Sequence, residues 1–502
     1  MIATRRSLRH SALLLQKRSN GTLFGCGIAA VMLLTSCSSA DGESLPNSAA
    51  LARLDGASSE DAKSIASRLT GISTSESDFG GTGAITPPEG MVADSRPPSS
   101  SDPAVGHSPA TGYPPPLTPA PAASYPKEQL ITSRLADHIG AAPGYLTQIG
   151  FTGFDTSVMR ITDTSFGGGR LFRHDYSIRQ PWNADGSQLL LKNSPTALLD
   201  GRTFRPLGSL NLPDDAIWSN RDPDLIYGVE ANSFVRLTVS SRNQQTMRTF
   251  PNYSRVYIGG GEGNVSDDDR YVVLIGKAPS AVDILVYDIP DDRVVSTRRF
   301  EGYTGPWGDI DSAVISRSGK YVVLGVSKPE RGYDLYDSKS MAFLRRLVDN
   351  QRSHADIGYT TEGHEVLVTQ ASRDTAMSSI RLADGVQRQE VAGELMAWNQ
   401  HTSCRNNLRP GWCYVGTSYQ DANTSAYMYR QIFAIKLDGT GKVQRFAPNP
   451  FADKPADEEY MRESHAVPSR DGRLVLFASD WRDGSSSAVI HTYVAGTQIP
   501  LR

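Results

Sequence analysis

The feature that most constrains this chain is a recurrence, in which a short polar turn is followed at once by a β-branched or aromatic run, seven times over. In order these are Asn183-Ala-Asp-Gly-Ser-Gln-Leu-Leu-Leu191, Arg221-Asp-Pro-Asp-Leu-Ile-Tyr-Gly228, Asp267-Asp-Asp-Arg-Tyr-Val-Val-Leu274 and Ser316-Arg-Ser-Gly-Lys-Tyr-Val-Val-Leu324. Thr361-Glu-Gly-His-Glu-Val-Leu-Val368, Asn407-Leu-Arg-Pro-Gly-Trp-Cys-Tyr-Val415 and Ser469-Arg-Asp-Gly-Arg-Leu-Val-Leu-Phe477 complete the set. The interval of about 40 to 60 residues is that of four-stranded propeller blades, and further strands such as Asp283-Ile-Leu-Val-Tyr-Asp288 fill the space between turns. The expected fold class is all-β, a seven-bladed β-propeller; the regular period argues against a pair of β-sandwiches. A closed ring needs its ends joined, and Ser157-Val-Met-Arg-Ile-Thr162, just before the first repeat, is β-branched enough to complete the last blade.

The repeats occupy only part of the 502 residues, and an overall 39% hydrophobic content with 45 Gly and 30 Pro is low for a chain folded throughout. From Ser38 to Pro126 the composition is Ser, Ala, Gly and Pro with few aromatics, which cannot bury enough apolar surface to offset chain entropy. Its Pro-rich end reads as a semi-stiff spacer. Before it, Arg5, Arg6, Arg9, Lys17 and Arg18 precede an apolar run of about a dozen residues, too short for a bilayer core of about 30 Å. The run ends in Leu34-Thr35-Ser36-Cys37, so the order is that of an export signal. It also resembles a bacterial lipobox, which implies that Cys37 carries the acyl chains and becomes the new N-terminus. The expected organisation is therefore a lipoprotein signal over 1–36, a lipid-anchored disordered tether over 37–126, a junction over 127–150 and the propeller over 151–502. The expected location is the bacterial cell envelope, with the membrane reached through the Cys37 anchor.

Loss of residues 1–36 takes the formal charge from −3 to −8, which leaves no basic excess for a run of phosphates and disfavours a nucleic-acid partner. Export also bears on Cys404 and Cys413, the cysteines left once Cys26 departs with the signal and Cys37 is acylated. In an oxidising compartment they are expected to pair across a hairpin with a long turn; two buried thiols are the alternative.

The strand before each turn is the innermost of its blade, so residues just N-terminal to the turn face the channel mouth. That slot holds His174, Tyr176, Arg179 and Trp182 in repeat one, Glu262 and Asn264 in repeat three, and Trp307 and Asp309 in repeat four. Repeat five has Ser353-His354-Ala-Asp356, repeat six Asn399-Gln-His401 and Arg405, and repeat seven Glu463-Ser-His465. Four of nine histidines thus share one position. His354, His401 and His465, from adjacent blades, could converge on one divalent cation with Glu463 or Asp356 adding an oxygen, a mixture suited to Mn²⁺ or Zn²⁺. Each could equally be a hydrogen-bonded channel residue that stabilises its blade.

The run Ser464-His465-Ala-Val-Pro-Ser-Arg-Asp-Gly-Arg-Leu-Val-Leu-Phe-Ala-Ser-Asp480 resembles the last-blade motif of oligogalacturonate-lyase-type propellers, and its turn and strand are also similar to TolB-type repeats. By position His465 matches a metal ligand of the lyase family, while Glu463 stands where that family has a second histidine. The resemblance implies a metal-assisted β-elimination on a uronic-acid polymer, with the proton taken by a channel-side group: His174, Arg179 or Arg405, in that order. Trp182 and Trp398 could stack on sugar rings. It equally leaves open a non-catalytic, TolB-like propeller that binds an envelope protein or a glycan through its top face. The chain has no GxSxG elbow, HExxH helix or P-loop to support other hydrolytic or nucleotide chemistry.

Overall fold

The recurring turn forms because one polar residue satisfies both ends of it. In repeat three the Ser266 amide donates to the Tyr271 carbonyl at 2.9 Å while its hydroxyl accepts from the Tyr271 amide at 2.9 Å. Ser316 and Tyr321, and Ser469 and Leu474, repeat the arrangement, and Asn183 does so with its side-chain oxygen toward Gln188. The return also needs a left-handed residue, which Gly319 (φ +74°) and Gly472 (φ +68°) supply.

The computed structural model describes residues 124–500, apart from 136–138, 168, 193–197, 307, 329, 350–353, 372–375, 397–399, 417–424 and 453–458. The export signal, Cys37 and nearly all of the tether lie outside the described residues, as do Ser353, Trp307, Trp398 and Asn399. Among the described residues the strands form seven antiparallel sheets, ordered around a ring by chain position. Blade one is Gln188–Leu190, Leu198–Asp200 and Pro206–Gly208, with Trp182 bridging to Leu189 in place of a full inner strand. Blades two to six begin with Asp214–Trp218, Arg255–Ile258, Ile310–Ile315, Asp356–Tyr359 and His401–Ser403, each followed by three more strands.

Blade seven contains Val467–Pro468, Leu474–Ser479 and His491–Gly496, and the segment Ser157–Arg160 adds its fourth strand with Ser157 opposite Gly496 and Arg160 opposite Tyr493. Gln148–Gly150 lies outside that strand as a fifth. The join is apolar: Val158, Met159 and Ile161 are fully buried, each stabilising the closed ring by about 1.5–3 kcal/mol. Exposure differs sharply between central and outer strands in several blades, although the outer strand of blade six, Val443–Pro448, is buried. Ala281–Asp288, a third strand, is buried throughout, whereas the outer strand Asn243–Thr249 is mostly exposed. The apolar cores lie between neighbouring blades, so the central strands are packed on both faces.

Cys404 and Cys413 form a disulfide, with Cα atoms 4.4 Å apart, between the end of the blade-six inner strand and the next strand. Gly358 of blade five lies against it: a Cβ there would be 2.9 Å from Cys404 Cβ and 3.1 Å from Cys413 Sγ, so a side chain would push the blades apart.

Candidate metal centre

Three inner strands deliver the same slot to one place. His401 is the first residue of its strand, His465 lies two residues before Val467–Pro468, and His354 two before Asp356–Tyr359. The His354 and His401 rings stack with centroids 4.7 Å apart, and His401 and His465 approach to 4.1 Å. Glu463 turns to the same point, its Oε2 lying 3.4 Å from His401 Nε2 and 3.5 Å from His465 Nε2. That turn is made by His465 itself, whose φ of +41° is left-handed and costs about 1–2 kcal/mol in a residue with a side chain. One donor atom each from His401, Glu463 and His465 lies within 4.8 Å of the others, and all three residues are buried.

The electrostatics favour a neutral imidazole at His465. Burial, reinforced by His401, Arg173 and the other nearby histidines, holds the His465 imidazole well below the usual histidine range. Neither His465 ring nitrogen makes a hydrogen bond to a described residue. A neutral imidazole with an unused lone pair, beside a carboxylate and a second imidazole, is the donor chemistry a divalent cation requires. With bonds of about 2.1 Å, neighbouring ligand atoms in a tetrahedral site are about 3.4 Å apart, matching the two separations from Glu463. The residues present fit a cation. His354 stands beside this set, its Nδ1 2.6 Å from Tyr176 Oη.

No family model and no curated protein matches the sequence. Solved structures do match. An oligogalacturonate lyase in complex with manganese is similar with a TM-score of 0.51 at 14% identity, over 74% of this chain and 98% of that one. An oligogalacturonate lyase from Vibrio parahaemolyticus gives 0.51 at 13% identity, over 71% and 97%. TolB from Acinetobacter baumannii gives 0.32 at 11% identity, over 53% and 60%. What the two lyases share with this chain is the propeller fold.

The groups expected to handle protons are placed differently from the cluster donors. Arg405 makes a paired contact with Asp356, Nε to Oδ2 at 2.9 Å and Nη2 to Oδ1 at 2.5 Å, and Nη2 also donates to the Ile357 carbonyl at 3.0 Å. Asp356 accepts further from the Cys404 and Ile357 amides at 2.7 and 2.8 Å, so its carboxylate is spent on the blade-five to blade-six contact rather than on the cation cluster. Arg179, buried, donates to the carbonyls of Gly261 (2.9 Å), Asp215 (2.8 Å), Ala216 (3.4 Å) and Ile258 (3.3 Å), tying blade one to blades two and three. His174 is within the cluster's surroundings, its Nε2 2.6 Å from the His465 carbonyl oxygen, and burial beside Arg173 holds its pKa down to about 3. Trp182 is packed in the core between blades seven and one, its Nε1 donating to Gly201 O at 3.1 Å. Asn264 donates to Ile178 O at 2.7 Å.

Tyr176 has a larger part than its slot alone indicates. Its ring centroid is 5.5 Å from His354, 5.5 Å from His401 and 4.8 Å from His465, so one blade-one side chain touches all three histidines. Burial, with Glu262 the largest of the nearby acidic contributions, pushes its phenol well above the ordinary tyrosine range. The available signal was its place two residues after His174 in the slot. Tyr460, 5.2 Å from His465 and carried by the short helix Glu459–Arg462, sits outside any slot and gave no sequence signal.

Proposed function

We propose that the channel mouth binds one Mn²⁺ or Zn²⁺ through His401, Glu463 and His465, with His354 adjacent, and that the chain is a cation-dependent lyase for an acidic polysaccharide. The observation that carries the reading is the donor set itself, two buried imidazoles and a carboxylate brought together by two adjacent blades. Support comes from a fold shared with an oligogalacturonate lyase whose structure holds manganese.

A cation there would neutralise a uronate carboxylate and so acidify the neighbouring C–H bond. The chain's own residues would then set the geometry. Glu463 offsets the cation's charge between the two imidazoles, and the Tyr176 hydroxyl orients His354 at the edge of the site. In β-elimination a base removes the C5 proton, the electron pair forms the C4–C5 double bond, and the C4–O bond breaks as the leaving sugar takes a proton. In the same reading Cys37 carries the acyl anchor and residues 37–126 space the propeller from an envelope membrane.

The test is metal analysis of the purified chain, followed by ultraviolet detection of unsaturated uronates over a panel of polyuronides. One equivalent of cation with product formation is expected. A chain that retains no Mn²⁺ or Zn²⁺ on dialysis sinks the reading in favour of a propeller that binds an envelope protein or glycan without chemistry.

A further inference from the structure

Blade one supplies none of the three donors, yet three of its residues reach the cluster in close succession. Arg173 Nη1 donates to the Met461 carbonyl at 2.8 Å, holding the helix that leads into Glu463. His174 Nε2 lies 2.6 Å from the His465 carbonyl oxygen, and Tyr176 Oη lies 2.6 Å from His354 Nδ1. The middle contact is the most informative. A carbonyl oxygen only accepts, so the hydrogen is on His174 Nε2 and this ring donates. Its acceptor belongs to the cluster histidine whose backbone is left-handed, and that backbone is what turns the His465 imidazole back toward Glu463. Both partners are buried, at 1% and 0% exposure, so bulk water does not compete for the carbonyl.

We infer that His174 is a positioning residue of the cation site: its Nε2–H holds the His465 carbonyl and thereby the backbone that presents the His465 imidazole beside Glu463 and His401. The inference rests on the cation reading above and extends it to a residue on the far side of the ring closure. Blade seven is completed by Ser157–Arg160 and adjoins blade one, so the contact also ties the donor geometry to correct closure of the ring. Partners that orient a ligand in this way typically change metal affinity by about 10- to 100-fold when removed.

The test uses Co²⁺ as the probe, read both by affinity and by its visible absorption, on the full chain and on His174→Phe and His174→Gln. Phenylalanine keeps an aromatic ring but removes the donor; glutamine restores an N–H near the position of Nε2. The expected result is Co²⁺ binding weakened about 10- to 100-fold with an altered spectrum in His174→Phe, and recovery of most of the affinity and of the spectrum in His174→Gln. Wild-type affinity and spectrum in the phenylalanine variant, or no recovery with glutamine, overturns the inference. A wild-type chain that binds no Co²⁺ sinks the cation reading instead. Hydrogen exchange of the 463–467 amides in the metal-free proteins then decides the positioning role. Faster exchange in His174→Phe but not in His174→Gln supports it, and equal exchange in all three overturns it.

Discussion

Acidification should loosen the ring at its closure, through His491. This residue begins the blade-seven strand that receives Ser157–Arg160, and its ring lies between Arg160 and Thr162 of the incoming segment. Arg160 Nη1, which can only donate, is 3.3 Å from His491 Nε2, so Nε2 offers a lone pair and Nδ1–H donates to Thr162 Oγ1 at 3.0 Å. Protonation would aim a second N–H at the guanidinium. Burial first, and then Arg160, accordingly lower the pKa from 6.5 to about 4. Because the folded value is depressed, the unfolded chain takes the proton first as pH falls. The contribution to stability is therefore intact above about pH 6.5 and is lost progressively down to about pH 4. At 1.36 kcal/mol per unit the loss is about 2 kcal/mol at about pH 5 and about 3.4 kcal/mol at the acid limit. The assay is urea unfolding of the wild type and of His491→Gln at about pH 7.5 and about pH 5, compared as a double difference so that other groups cancel. The wild type should lose about 2 kcal/mol more than the variant on acidification. Equal losses in the two proteins, or a larger loss in the variant, would refute the argument.

Three further outcomes are expected. Arg405→Met should cost about 3–5 kcal/mol, because it strands the buried Asp356 carboxylate, and Asp356→Asn in the same chain should recover part of that; urea midpoints decide it. Replacing Cys404 and Cys413 by serine opens a loop of sequence separation 9, for which chain entropy predicts a loss of about 2.5–3 kcal/mol, measurable by urea unfolding with and without reductant. Glu463→Gln should weaken Mn²⁺ binding by more than about 100-fold in calorimetry while the circular dichroism spectrum is unchanged, since the carboxylate touches the two imidazoles rather than the apolar core.

The all-β class, the number of blades and the Cys404–Cys413 bridge were legible in the sequence because each is set by residues close together in the chain or by a regular recurrence, and the closing strand because a ring of such blades needs its ends joined. Ser266 makes its turn with Tyr271, and the disulfide spans a single hairpin. The slot occupied by His354, His401 and His465 was legible in the same way, because a period that places one residue at the mouth places its equivalents there too.

What only the tertiary structure decided are contacts between residues far apart in sequence. Arg405 reads as a channel-side group able to take a proton until Asp356, 49 residues away, is found filling its guanidinium fork, and Arg179 reads the same way until carbonyls from two other blades surround it. Asp356 and Glu463 were both candidate oxygen donors. Asp356 is taken up by Arg405 and two backbone amides, whereas Glu463 lies against His401 and His465, the latter a left-handed residue whose carbonyl meets His174 across 291 residues. A slot specifies which residues can reach the axis. Which of them meet there, and in which protonation state, depends on the packing of neighbouring blades and the burial it imposes, neither of which a repeat period encodes.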